Sequence, residues 1–354
     1  MTLENSKKLR VAIIGCGIIA PDHIGAIKKK CGALELHLCD RNLKAAQILA
    51  KEVGFNVAVH EDALQLISEQ EFDIVHVLTP PDSHYDIAMH ALKNRANVIV
   101  EKPMTLTLKE TKKLYLLAEE MNQMVCVDHG LLYMECVLKA FELIKSGVLG
   151  SVIGAHCFFG HAERRNTIPY GGVSHWAYNI PGGPLANIIS HPASLIVELL
   201  GKPESITSIS DARNLMPYGF SDLVDVSFRT SKGHGSFTVS MAHGNSSRYA
   251  NIECEKGSIY VDLGRQLTVV KFHKGRLGFI SKALSSIGVG FSFINGTLSV
   301  IFKVATKKLK RNPGTRKLIA EFYRCVRDGS PPPVSKDNAV SVATVFEKVL
   351  RIKN

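Results

Sequence analysis

Residues 9–22 read LRVAIIGCGIIAPD, and their reading decides the first half of the chain. Val11 to Ile14 form a β-branched, apolar run of the kind a buried strand uses. Gly15-Cys16-Gly17-Ile18-Ile19-Ala20 follows as G-x-G-x-x-A, between that strand and a helical stretch to about Lys30. The first glycine permits a tight turn, the second lets the backbone approach a pyrophosphate, and the third position need only be small. The pyrophosphate then rests on the helix N-terminus, where Ile18, Ile19 and Ala20 lie. Asp40 ends the next strand-like run, LELHLCD, twenty residues after Ala20, where a carboxylate accepts ribose hydroxyls. Asp40 favours NAD, because a 2′-phosphate would meet its charge; the adjacent Arg41 leaves NADP open.

Working outward, strand-like and helical stretches alternate through residue 128. RNLKAAQILAKEVG (41–54) reads as a helix stopped by Gly54, and a short strand follows at 56–60. EDALQLISEQ is helical, DIVHVLT (73–79) a strand and DSHYDIAMHALKN (82–94) a helix. NVIVE (97–101) is a strand, Thr107-x-x-Glu110 a capping box that opens a helix, and MVCVD (124–128) a sixth strand. The alternation predicts an α/β domain with a parallel, doubly wound sheet over 1–128. Beyond residue 150, SVIGAHCFF, LVDVSFRT, HGSFTVSM, RYANIECE, GSIYVDL and LTVVKF predict an antiparallel sheet of about six strands. Helices at 135–147, 191–201, 315–329 and the C-terminus flank it, so 129–354 reads as an α+β domain.

Composition bounds the function classes. The chain has 354 residues, 45% apolar and 21% charged, which excludes extensive disorder. MTLENSKKLR lacks the apolar core of a signal peptide. The eight cysteines are scattered without a C-x-x-C pair, which fits a reduced cytoplasmic setting and predicts no metal site. The net charge of +11 is local: residues 265–317 hold twelve Lys or Arg and no acid, leaving 11 − 12 = −1 elsewhere. No nucleic-acid-binding motif accompanies it, so no nucleic-acid partner is expected.

NVIVEKPMTLT (97–107) places two charges at the end of an apolar strand. An apolar strand ends on Glu101 and Lys102, and Pro103 stops the ladder. The C-terminal ends of parallel strands are where ligands bind, so Lys102 is either an exit charge or a reacting group.

Together with LTPPDSHYDIAMHAL (78–92), GGPLANIISHPASLIVELLG (182–201) and the tail FYRCVRDGSPPPVSKDNAV (322–340), these stretches resemble the glucose–fructose oxidoreductase / inositol dehydrogenase / MocA family. The resemblance spans nearly the whole chain except about 273–314. It implies a Rossmann domain followed by an open-faced sheet domain. Thr79, Pro80 and His84 are expected to line the cofactor, Glu101 and Lys102 to reach the nicotinamide and the reacting carbon, and the bond before Pro103 to be cis. Lys102 then donates to the substrate oxygen while hydride transfers. His191, near the start of its helix, matches the family's acid/base position. The family commonly has Asp four residues earlier and often an acid three later; here stand Asn187 and Ser194. Asn187 can orient a substrate but not act as a base, which keeps open a member that binds dinucleotide without catalysing, or a hydrolase that uses NAD transiently. Asp128 and His129 lie where polar substrate contacts are frequent.

The loop 161–183 holds Arg164 and Arg165, which could bind a phosphate bidentately, and Trp176, the only tryptophan, which could stack on a sugar or base. The stretch reads either this way or as an ordinary long loop; if the arginines bind phosphate, the substrate is a nucleotide sugar rather than a free sugar, and a homo-oligomer is expected. Finally, Ala283–Phe302 is free of charge and bracketed by Lys282 and Lys303. Ile280, Leu284, Ile287, Phe291, Ile294, Leu298, Ile301 and Ala305 repeat at 4-3-4-3 spacing, with Gly288 and Gly290 as a place to break into two helices. Residues 280–311 read either as a helix on an anionic membrane surface or as a packing element within the protein or between subunits.

Overall fold

The computed structural model describes residues 9–30, 34–53, 57–162, 173–213, 216–272, 279–306 and 312–350. They divide into two compact units: 1–130 with 314–343, and 131–313 with 344–353.

In the first unit, strands β1 (Leu9–Ile14), β2 (Leu34–Cys39), β3 (Ala58–His60), β4 (Ile74–Val77), β5 (Asn97–Val100) and β6 (Val125–Val127) alternate with helices α1 (Ala20–Lys30), α2 (Leu43–Val53), α3 (Ala63–Glu69), α4 (His84–Lys93) and α5 (Leu108–Glu120). Every pairing is parallel, and the order is β3-β2-β1-β4-β5-β6. This is the doubly wound order, with its switch point between β1 and β4. Val11, Ala12 and Ile13 of β1 and Val98 to Val100 of β5 are wholly buried. Each such Val or Ile contributes about 1.5–3 kcal/mol. α5 starts on the expected capping box: Glu110 N–H donates to Thr107 Oγ1 at 3.2 Å, and Thr107 N–H donates to Glu110 Oε2 at 3.1 Å.

Gly314–Ala343 belongs to this unit, whereas the sequence reading placed it with the second domain. The reason lies in α9 (Pro313–Asp328), assigned by its helical pattern and not by what its apolar stripe covers. Leu318, Ile319, Phe322 and Tyr323 are wholly buried. Arg316 pairs with Asp22 of α1 at 2.7 Å, and Tyr323 Oη meets His76 of β4 at 2.9 Å.

The second unit carries α6 (Glu135–Lys145), α7 (Gly183–Leu200) and a seven-stranded sheet in the order β13-β12-β11-β7-β10-β9-β8. Its strands are β7 (Val152–Ala162), β8 (Ser205–Asp211), β9 (Leu223–Thr230), β10 (Gly233–Ser240), β11 (Ala242–Cys254), β12 (Gly257–Asp262) and β13 (Leu267–Phe272). All pairings are antiparallel save β7 with β10. β8, SITSISD, was not expected: it is an edge strand with no fully buried residue, so Ser and Thr replace the apolar alternation that marks a strand. α7 begins at Gly183, not near His191, and runs through Pro192. α8 (Phe279–Ala305) is one continuous helix, unbroken at Gly288 and Gly290.

Candidate functional site

The C-terminal edge of the parallel sheet gathers most of the singled-out residues of the first unit. Gly15 N–H donates to Cys39 O at 2.8 Å, and Leu78 N–H to Ile14 O at 2.7 Å, so the turn after β1 is held between its two neighbours. Gly15 has φ +100°, and a Cβ there would lie 2.7 Å from the Leu78 carbonyl and 2.8 Å from Thr79 N. Gly17 differs, since nothing stands within 4 Å of where its Cβ would be. Ala20 is wholly buried at the head of α1, while Ile18 is 73% exposed. Asp40 accepts Cys16 N–H on Oδ2 and Asn42 N–H on Oδ1, both at 2.8 Å, which fixes the carboxylate just beyond β2. Arg41 beside it is exposed. A one-sided opening over Gly17 and a fixed acid at the end of β2 are what a dinucleotide requires, so the residues present fit that cofactor.

At the end of β4, Thr79 Oγ1 accepts from Ser83 Oγ at 2.7 Å, and Pro80 follows as the cap of the short turn that leads into α4. His84 was expected to line the cofactor. Its ring is buried, with Nε2 2.6 Å from Thr79 O and Nδ1 3.0 Å from Pro103 O. It braces the β4 loop against the EKP loop. Burial pulls its pKa down, although the carbonyls favour the protonated ring.

The ends of β5 and β6 form a compact ionisable cluster. Lys102–Pro103 is a cis bond, and Lys102 N–H donates to Glu101 Oε2 at 2.9 Å. Asp128 and His129 are 2% exposed, held by Asp128 N–H to Val100 O at 2.7 Å. Burial pulls the Lys102 ammonium below the usual lysine value, against the pull of Glu101 and Asp128. Burial, then Asp128, pushes Glu101 up; Lys102 opposes this. Burial lowers His129 to about 4, so its imidazole is neutral near pH 7.

Sequence reasoning missed what lies behind this cluster. His23 and His76 face each other through their Nδ1 atoms at 2.8 Å, His76 Nε2 meets Tyr323 Oη, and His23 Nε2 lies 3.4 Å from Asp128 Oδ2. Burial holds His76 well below the usual histidine value, hence neutral with one ring proton. With His76 neutral, Tyr323 O–H donating to His76 Nε2 and His76 Nδ1–H donating to His23 Nδ1 satisfies both short contacts. A histidine inside the strand IVHV carries no sequence signal of this role. Donor atoms of His23, Glu101 and Asp128 lie within 4.8 Å of one another, a set that suits a divalent cation by ligand type. The Lys102 ammonium already couples to both acids, so a dication would compete with it.

His129 gives a stability prediction. Its folded pKa of about 4 lies below the unfolded 6.5, so its contribution is full above pH 6.5 and is lost as pH falls toward 4. Wild type should lose about 3 kcal/mol more stability over that window than His129→Gln, measured by urea unfolding at each pH.

In the second unit, every residue of α7 is buried except Asn187, His191 and Glu198. Asn187 and His191 are one turn apart on a single face, and the His191 ring stacks on Phe159 at 6.3 Å between centroids. Ser194, at the position of a frequent family acid, is buried and donates to His191 O at 2.8 Å. Trp176 is half-buried beside His175, with ring centroids 5.0 Å apart. Arg164 and Arg165 lie outside the described residues.

Residues 9–129 match the model of an oxidoreductase family with an NAD-binding Rossmann fold, and 137–260 match the GFO/IDH/MocA C-terminal domain. Among curated proteins, the chain is 30% identical over 201 residues to the D-glucoside 3-dehydrogenase of Escherichia coli, covering 56% of each. It is 27% identical over 271 residues to an oxidoreductase of Synechocystis, covering 73% of this chain and 72% of that one. An oxidoreductase of Schizosaccharomyces pombe is matched over 56% of its length, so the chain spans little more than half of several of these relatives. Among solved structures, levoglucosan dehydrogenase with NADH and levoglucosan aligns at TM-score 0.78, 17% identity, 98% of this chain and 97% of that chain. The WlbA dehydrogenase of Bordetella pertussis with NADH and UDP-GlcNAcA aligns at TM-score 0.78, 18% identity, 98% and 96%.

Proposed function

We propose, since the chain belongs to the glucose–fructose oxidoreductase / inositol dehydrogenase / MocA family, that it transfers hydride between NAD and a sugar hydroxyl or keto carbon. The observation that carries this reading is the half-buried Lys102 at the sheet's C-terminal edge, coupled to Glu101 and to the buried Asp128. When bound, the nicotinamide accepts or donates the hydride. Lys102 donates a hydrogen bond to the substrate oxygen and stabilises charge that develops there. His191 takes the hydroxyl proton as the C–H hydride departs and the carbonyl forms, and returns it in reduction. Asn187, on the same helix face, holds the substrate hydroxyl.

The substrate class proposed is a nucleotide sugar or glycan precursor, with Arg164 and Arg165 on phosphate, Trp176 stacking on a ring and His129 contributing a polar contact. Two neighbours in the fold are named for UDP-sugars, the WlbA complex and a UDP-N-acetylglucosamine 3-dehydrogenase of Acidithiobacillus ferrooxidans. The test is a panel of free and nucleotide sugars with NAD, read at 340 nm. Turnover of a UDP-sugar, lost in Lys102→Met and in His191→Asn, supports the reading; turnover that survives the double variant refutes it. Asn187 and Ser194 favour a second reading, a dinucleotide-binding member without catalysis. NAD binding with no turnover across the panel would select it.

Asp40 supports NAD over NADP. Asp40→Asn removes the charge but keeps the shape, and is expected to weaken NAD about tenfold while strengthening NADP, measured by calorimetry. The proposed setting is the cytoplasm, as a homo-oligomer, with 280–311 touching a membrane surface. Among the described residues, no helix is long and apolar enough to cross a membrane.

A further inference from the structure

The family's chemistry gives α8 nothing to do. One side of this helix lies on its own sheet: Gly296 sits against Leu267 of β13, and the Phe293 ring is 5.9 Å from that of Tyr260. At 3.6 residues per turn, Ile287, Phe291, Ile294, Leu298 and Ile301 fall together on the opposite side. They are 56%, 61%, 57%, 57% and 57% exposed. Phe302 adds to this apolar surface. A row of large apolar side chains over four turns is far beyond scattered surface residues, and such patches mark a site of association.

The charge around it selects the occupant. The helix carries no acid, the sequence runs on through Lys307, Lys308, Lys310 and Arg311, and the twelve basic residues of 265–317 meet no Asp or Glu in that segment. A second copy meeting this face with the same face would set two acid-free basic segments side by side, which like-charge repulsion opposes. An anionic bilayer reverses that sign: headgroups attract the lysines while the acyl boundary takes the apolar row. The four Ser, three Gly and Asn295 within Ala283–Phe302 suit a helix lying in the interface better than one crossing the core.

We propose that α8 is a membrane-docking helix that lies flat on an anionic phospholipid surface, with Ile287, Phe291, Ile294, Leu298 and Ile301 in the acyl boundary and the acid-free basic charge of the sequence 265–317 drawing it to the headgroups. The inference rests on no reading of the substrate. Its test is flotation of the full chain with phosphatidylcholine vesicles and with vesicles in which about one third is phosphatidylglycerol. The chain floats with the anionic vesicles, stays down with the neutral ones, and is released by high salt. Ile294→Glu with Leu298→Glu, and separately Lys307, Lys308, Lys310 and Arg311 all to Ser, each lower the bound fraction by at least about tenfold. These changes fall on exposed or basic positions, and thermal midpoint and NAD affinity stay at wild-type values in both variants. Failure to float with anionic vesicles overturns the proposal. If a concentration-dependent oligomer is then seen and Ile294→Glu with Leu298→Glu dissolves it, the face joins two copies instead. Vesicle binding needs no turnover, so an inactive enzyme leaves this test standing.

Discussion

Lys102→Met is expected to lower turnover by about 10²–10³-fold, with NAD affinity held within about threefold. The size follows from where the ammonium stands. Burial pulls its pKa below the ordinary 10.5, while Glu101 and Asp128 hold part of the charge in place. A half-buried cation has already lost part of its hydration, so less is lost when it meets a substrate oxygen and more of its attraction falls on charge that develops in the transition state. The working form of the lysine is the protonated one, so rate should fall as pH rises through Lys102's depressed pKa. Lys102→Arg removes that limb from the accessible range, because a guanidinium does not titrate there, and recovers part of the rate only. Removing the ammonium also lifts the restraint on Glu101, whose pKa should rise further. The check is a kcat–pH series at 340 nm on a sugar found by the panel; unchanged turnover in Lys102→Met would remove the lysine from the chemistry.

The Rossmann half was legible because each of its rules is local. Gly15, Gly17 and Ala20 sit at fixed offsets, and Asp40 follows at the distance a βαβ unit imposes. Thr107 and Glu110 announce a helix start by their own chemistry. Non-local pairing left no such mark. Nothing in IVHV says that His76 faces His23 across to α1, or that Tyr323, 247 residues later, completes the chain of hydrogen bonds. The segment 314–343 was assigned to the second domain for the same reason: its partners, Asp22 and His76, are far away in sequence.

Polarity also misled. β8 hides behind Ser and Thr because an edge strand need bury little. The helix expected over 191–201 instead runs from Gly183 and continues through Pro192. That earlier start matters to the site. It makes Asn187 and His191 neighbours on a helix face by periodicity alone, where the sequence offered only a spacing of four.

Gly15→Val and Gly17→Ala are expected to separate the two things this turn does. At Gly15 the φ of +100° excludes an ordinary side chain, and a Cβ would strike the Leu78 carbonyl at 2.7 Å. That backbone cannot retreat easily. Leu78 N–H is bonded to Ile14 O at 2.7 Å, and His84 holds Thr79 O from the other side at 2.6 Å. The turn must therefore open, at a cost of about 2–4 kcal/mol from strain and lost contacts together. The thermal midpoint should fall by several degrees, and NAD affinity by about a hundredfold or more, since the helix N-terminus moves with the turn. Gly17 has free space where its Cβ would go, so Gly17→Ala should leave the midpoint unchanged. The methyl then projects into the gap through which the backbone approaches the pyrophosphate, and NAD affinity should drop about tenfold with the fold intact. Scanning fluorimetry gives the first quantity and calorimetric titration the second. Wild-type NAD affinity in Gly17→Ala would mean that the open side of the turn is not the side a dinucleotide approaches. A stable Gly15→Val would mean that the contact with Leu78 and Thr79 does not set the turn.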